Sequence, residues 1–378
     1  MSGPLSGVRA LEFAGLGPVP YAAMLLADMG ADVVRVDRVP PTSEAPPIEP
    51  LHRGRRSLAL DLKHEAAADI VLRSVAAADI VLEGFRPGVM ERLGIGPEPC
   101  LERNERLIYG RMTGWGREGP LSAAAGHDIN YIALAGALEP IGRSGSAPVP
   151  PLNLLGDYGG GAMFLAFGVV CALDESRRSG RGQVVDAAMV DGAASLMTMF
   201  HGLRANGTWR DARGTNRLDT GAPFYEVYET ADGRFVSIGA LEPEFYAQLR
   251  ELAGLEGPEW DAQHDRDRWP DMKERLASLF RQRTRAEWCD LLEGTDACFA
   301  PVLSLAEAPD HPHNVARGTF TERDGVRQAS PAPRFSRTTP ALGSRPVRAG
   351  ADTFELLGEL GFTGQQIDDL VLARTVAV

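Results

Sequence analysis

An imidazole and a carboxylate stand thirty residues apart, each in a glycine-marked segment: His127 in GHDINY (126–131) and Asp157 in LLGDYGGGAMF (154–164). Two groups of these types could serve opposite faces of one carbon, one removing a proton and the other returning one. Asp157 is followed by Tyr158 and three glycines, then by the apolar run Ala162 to Leu173, long enough for a buried helix. Each glycine in a helical turn costs about 1 kcal/mol against alanine. Three together suggest a backbone that a ligand must approach closely, with free amide donors at a helix start. The competing reading is an N-capping aspartate ahead of a tightly packed core helix.

The elements that must position these groups follow from periodicity. GVRALEF, PYAAMLLADMG, ADVVRVD, an alanine-rich helix near 65–77, ADIVLEGF and RLIYGRM alternate strand with helix, the rhythm of a parallel sheet. Gly15, Gly17 and Asp37 imitate a dinucleotide fingerprint, but Pro18 interrupts the turn, Pro20 holds the third glycine position and Arg38 follows the acid. A nicotinamide site is therefore not expected. GRSGSAPVPPLN (142–153) reads as a surface excursion, and 206–222 as a linker. FYEVYET and RFVSIGA then form a hairpin, Pro243 suits the first turn of a helix with Glu242 just before it, and helical patterns run to about 293. The stretch from TFTERDG onward is loop-rich, and Thr363 with Gln366 has the spacing of a capping box.

At 378 residues the chain calls for two domains, or one with an insertion. A net charge of −12 argues against nucleic acid or an anionic membrane as the main partner. No uninterrupted apolar stretch reaches the length of a membrane span, MSGPLSGVRALEF lacks a signal core, and RTVAV is no peroxisomal address, so the expected location is cytoplasmic. Cys100, Cys171, Cys289 and Cys298 show no metal or disulfide spacing and are expected as buried thiols. His311, Pro312 and His313 read as a loop. Arg35, Arg38, Arg53, Arg55, Arg56, Lys63, Arg86 and Arg92 all fall in the first quarter. Arginine forks suit phosphate recognition, although for any one of them a solvated surface position is the plainer reading. Met163, Phe164, Phe167, Met189, Met197, Met199 and Phe200 are expected mostly as buried helix core.

GPLSGVRALEFAG, ADVVRVDR, EGFRPGVMERLG, MTGWGREGP, GHDINY, GDYGGGAMF and GQVVDAAMVDG, in this order, resemble the family III CoA-transferase superfamily, and within it the α-methylacyl-CoA racemase branch. That resemblance implies an α/β fold: a Rossmann-like large domain with a parallel sheet (1–205 and 318–378) that binds CoA, and a smaller α+β domain (223–317), interlocked as a homodimer. It implies His127 and Asp157 as the two bases and Glu242 of the small domain as the residue orienting His127. It maps CoA contacts onto Arg38, Leu60, Asp61, Leu62, Lys63, Gly84, Phe85, Arg86, Arg92, and onto Gly126, Asp128, Ile129, Asn130 and Tyr131. Phe85 replaces a tyrosine of the family pattern. No metal or separate cofactor is implied, since CoA belongs to the substrate. A transferase of the same superfamily would instead use Asp157 as a nucleophile through a mixed anhydride. A silent acyl-CoA-binding protein is a third class, disfavoured by the intact His127, Asp157 and Glu242 set. For a racemase the developing enolate oxygen must be stabilised, and the GDYGGG turn is the expected source of amide donors; one such donor is worth roughly 3 to 4 kcal/mol. Residue types do not specify the acyl group.

Overall fold

β-branched runs in the first half of the chain assemble into one sheet. The computed structural model describes residues 3–39 and 49–378. Six strands, β1 (Arg9–Phe13), β2 (Asp32–Asp37), β3 (Arg55–Leu60), β4 (Ile80–Glu83), β5 (Ile108–Thr113) and β6 (Gln183–Ala188), lie in the order β3-β2-β1-β4-β5-β6, all parallel. A short strand, Val376–Ala377, adds antiparallel to β3 and completes seven. Alternation along β1 sends Ala10 to one core and Leu11 and Phe13 to the other, so both faces of the sheet are covered. The first core takes the helix Pro18–Asp28 and the helix Met163–Ser179; the second takes Ala67–Ala76, Pro97–Arg103 and the C-terminal helices. Each fully buried Leu or Ile here contributes about 1.5–3 kcal/mol. Strand order reverses between β1 and β4, and ligands of open parallel sheets bind outside the carboxyl ends at such a point.

The chain divides into two compact units: residues 1–135, 152–196 and 320–378 form the first, and 136–151 with 197–319 the second. The second has an antiparallel sheet of β7 (Tyr225–Glu229), β8 (Phe235–Gly239) and β9 (Phe299–Pro301), with the helices Pro243–Ala253, Trp269–Phe280 and Arg285–Leu292. Phe224, Trp260, Trp269, Phe280 and Trp288 fill its core. The expected linker 206–222 is built into this unit. Asn216 and Asp219 are buried there, and Asp219 accepts from the amides of Gly214, Asn216 and Gly221. The excursion near 142–153 belongs to it up to Pro151, tied by Arg143 to the buried Glu226 at 2.7 Å.

Several other expectations are corrected. The loop-rich stretch begins with a hairpin, β10 (Phe320–Arg323) and β11 (Val326–Ala329), whose turn residues Asp324 and Gly325 both have positive φ. His311 caps the short helix Pro312–Arg317, and its Nε2 lies 2.8 Å from Glu293. Only Cys100 is buried, its thiol pushed up to about 12 by desolvation; Cys171 and Cys298 are exposed. Residues 154–179 run as one 26-residue helix, long and apolar enough by composition to cross a membrane, where no stretch of that reach was expected. Leu165, Val169, Ala172 and Leu173 turn its one face into the first core. Met163 and Phe167 on its other face are 49% and 69% exposed, so the expectation that they are core fails.

Candidate active site

His127 and Asp157 are both in the first unit, and one buried carboxylate ties their segments together. His127 precedes the helix Asp128–Leu134; its own amide donates to Asn130 Oδ1 at 3.0 Å, which closes the helix start and leaves the imidazole exposed. Asp128, the next residue, points inward, and its Oδ2 accepts the amides of Gly156 and Asp157, each at 2.6 Å. The imidazole is therefore fixed in sequence to the group that holds the Asp157 turn.

Asp157 lies in a π-helical segment, Leu154–Ala162, which widens the start of the long helix. Such widened turns concentrate at functional sites. Its carboxylate is half-buried. Desolvation raises its pKa, the charge of Asp128 adds to the rise, and a 3.2 Å hydrogen bond from Asn153 Nδ2 and the proximity of His127 act against it. Gly17, at φ 69°, closes over this carboxylate; a Cβ there would stand 3.0 Å from Oδ2. Tyr158 stacks on Tyr21 with ring centroids 4.6 Å apart.

The three glycines do a different job from the one expected. A Cβ on Gly160 would meet Ala193 N at 2.6 Å, and one on Gly192 would overlap Gly160 O outright. Gly161 faces Met189 and Pro18. Close helix packing, not ligand approach, demands Gly160 and Gly161, while a Cβ on Gly159 would stand 3.1 Å from Leu154 O and 3.4 Å from Leu196. The amides of Gly156 and Asp157 are also occupied by Asp128, so the GDYGGG turn does not offer them to an oxyanion.

GHDINY itself splits in two. Gly126, Ile129 and Asn130 remain at the surface or partly so. Asp128 and Tyr131 are buried; Tyr131 donates its hydroxyl to Gly126 O and meets Trp115 edge-on at 4.7 Å. Their visible work is to hold the segment, not to line a groove. Burial, then the charge of Asp157, raises the Tyr131 pKa, while Arg86 opposes it, so Arg86 reaches the same neighbourhood.

A cleft of about 640 Å³ opens at the carboxyl ends of β1 to β4. Of the mapped CoA residues, Arg38, Leu60, Asp61, Leu62, Lys63, Phe85 and Arg92 line it. Gly84 and Arg86 lie on the same β4 exit, with Gly84 packed against Val19. Phe85 donates its amide to Glu83 and packs its ring near Phe13 at 6.3 Å, which anchors the cleft wall in the second core.

The early arginines fall into two groups. Arg35 pairs with Asp37, Arg53 with Asp28, Arg55 with Glu12 and Arg56 with Asp32. The pairs of Arg55 and Arg56 tie β3 to β1 and β2, that of Arg53 ties the approach to β3 to the helix Pro18–Asp28, and that of Arg35 lies within β2. Arg38, Lys63, Arg86 and Arg92 are exposed and have no carboxylate partner among the described residues, which leaves four cations at the sheet's carboxyl edge for an anionic ligand.

The family model of CoA-transferase family III matches residues 5–353. The chain belongs to CoA-transferase family III. Among the relatives of this family member, α-methylacyl-CoA racemase of Mus musculus is 49% identical, covering 98% of this chain and 97% of its own length. Its counterpart from Homo sapiens is 46% identical, with 97% and 96% covered. A solved CAIB/BAIF family protein from Brucella suis shares the α/β fold and its mostly parallel sheet, with a TM-score of 0.83 over 95% of this chain and all of its own, at 23% identity.

Glu242 belongs to the second unit. It caps the helix Pro243–Ala253, its carbonyl accepting the Tyr246 amide at 2.9 Å, and it lines a separate cavity of that unit. The positioning role of Asp128 was missed at the level of sequence. An acid directly beside a candidate base is a usable signal, but nothing in its spacing names an acceptor role 28 residues away.

Proposed function

We propose that this family III protein is an isomerase that interconverts (2R)- and (2S)-2-methylacyl-CoA thioesters by 1,1-proton transfer through an enolate. The single observation that carries the reading is the Asp128 bridge: one carboxylate fixes the segment bearing His127 to the turn bearing Asp157. The two named racemase relatives, at 49% and 46% identity, support the same chemistry.

In this reading, CoA lies along the cleft with Arg38, Lys63, Arg86 and Arg92 meeting its phosphates. The thioester presents its α-carbon between His127 and Asp157. One takes the proton from one face and the other returns a proton to the opposite face, the roles exchanging for the reverse epimer. The raised pKa of Asp157 suits it to hold a proton until it is needed. With Gly156 and Asp157 occupied, the amides beside His127 are the oxyanion donors this reading requires. Glu242 orients His127 from the second unit of a partner chain in an interlocked homodimer. Met163 and Phe167, exposed on one face of the long helix, give a second copy an apolar surface to cover.

The test is incubation of (2R)-2-methylacyl-CoA with the protein in D2O, following α-deuterium by mass and formation of the 2S epimer. Uptake with epimerisation, abolished in His127→Ala and in Asp157→Ala, is the expected result. Transfer of CoA to an added carboxylate without exchange would sink the reading and return the chain to the transferases of its family.

A further inference from the structure

We propose that the second unit carries a carboxylate-recognition subsite, and that the acyl group served ends in a carboxylate: a 2-methyl dicarboxylic acid held as its mono-CoA thioester. The inference rests on the racemase reading only through Glu242, which lines the same cavity.

That cavity measures about 830 Å³ and lies within the second unit. Leu203, Trp209, Leu218 and Leu241 give it apolar wall, suited to a methylene chain. Three guanidinium groups, Arg210, Arg217 and Arg266, converge on it together with His264. None of the three has a carboxylate partner among the described residues. Arg266 donates to the Thr208 carbonyl at 2.7 Å and sits 5.5 Å from the Trp269 ring centroid. Many other arginines of this unit do have a carboxylate partner, among them Arg204 with Asp211, Arg234 with Glu307 and Arg275 with Glu259. The nearby buried acid, Asp219, is committed to the amides of its own turn.

The like charges are felt. The pKa of Arg266 is lowered by burial and then by Arg210 and Arg217, with the charge of Asp219 opposing, and that of His264 by burial and then by Arg217. An anion entering the cavity relieves this repulsion, and a planar carboxylate matches the guanidinium fork. In the racemase reading the phosphates of CoA meet the four cations of the first unit that have no carboxylate partner among the described residues. In the racemase reading Glu242 serves the acyl-CoA being turned over, so an anion bound in the same hollow as Glu242 is assigned to that acyl group.

The test compares two substrates of equal length, a 2-methyl dicarboxylic mono-CoA thioester and its ω-methyl ester, by kcat/KM for α-deuterium exchange with the full chain. The free acid is expected to be favoured by about tenfold or more, as one charge-assisted contact provides. This ratio falls with added salt and approaches one in Arg217→Gln and in the double variant with Arg210→Gln, both checked for fold by circular dichroism. Equal rates for the two substrates in the unaltered protein overturn the proposal, as does a preference that survives both substitutions. An equal rise in KM for both substrates in the variants would assign the arginines to CoA and overturn it too. If neither substrate exchanges, the racemase reading fails, and calorimetry with the free dicarboxylic acid decides the subsite separately: saturable heat lost in Arg217→Gln supports it, no heat from the unaltered protein ends it.

Discussion

The carboxylate of Asp128 accepts the backbone amide of Asp157 at 2.6 Å, and by the same oxygen the amide of Gly156. One side chain thereby sets the distance between two groups that lie thirty residues apart. Hydrogen bonds to a buried charged group contribute about 1.5–3 kcal/mol each. Asp128→Ala is expected to lower the free energy of unfolding, read from urea denaturation, by an amount in that range and to cut kcat for α-proton exchange at least about tenfold, while Asp128→Asn, which retains an acceptor oxygen, recovers part of both. An unchanged kcat in Asp128→Ala would show that the bridge has no bearing on the chemistry.

Burial raises the Asp157 pKa above that of an unfolded chain. A carboxyl shifted this way contributes its full stability below the unfolded value and loses it as pH rises through the folded one. Once ionised, Asp157 therefore works against folding. Asp157→Asn is expected to raise Tm at about pH 8, with a gain that shrinks as pH falls to about 4, while exchange is abolished. A Tm difference that does not vary with pH would contradict this.

The two groups of arginines should separate cleanly. Arg55 and Glu12 form a fully buried pair at 2.8 Å, with desolvation holding the Glu12 pKa high in spite of it. Removing one member of such a pair costs about 3–5 kcal/mol, so Arg55→Ala should be poorly folded by circular dichroism. Arg92→Ala should keep the native Tm and raise KM for acyl-CoA by roughly tenfold, with an effect that weakens as salt is added.

Gly192→Ala drives a methyl into the Gly160 carbonyl, and backbone on both sides cannot yield. Its cost should exceed the roughly 1–3 kcal/mol of ordinary overpacking. Gly202, in the helix Thr198–Ala205, has nothing within 4 Å of where an added methyl would stand, and Gly202→Ala should stabilise by up to about 1 kcal/mol. Thermal denaturation of the pair reads both signs.

Much of the fold was legible because periodicity is local. The runs ADVVRVD and ADIVLEGF became β2 and β4, Thr363 and Gln366 close the capping box that their spacing implies, and Glu242 does precede a helix at Pro243. What was not legible is who meets whom. Gly160 and Gly192 are each ordinary in sequence, and only their mutual contact explains them. Arg53 and Arg38 look alike until Asp28 is found 25 residues upstream of the first and no carboxylate partner for the second among the described residues. Asp324 and Gly325 did carry a hairpin signal, which the prolines and serines that follow them in the chain obscured.

The strand Val376–Ala377 pairs with β3, and the Thr375 carbonyl accepts the amide of Asp61 at 2.8 Å, on the wall of the cleft at the sheet's carboxyl edge. A segment made late in synthesis thus braces a loop made early. On the ribosome, β1 to β5 can emerge and collapse long before residue 377 leaves the exit tunnel, so the nascent first unit must wait, unfinished at that edge, while the second is synthesised. The wall at Asp61 is then braced only once that strand emerges, and a ribosome stalled before residue 375 would display a chain whose cleft is unsupported at that edge.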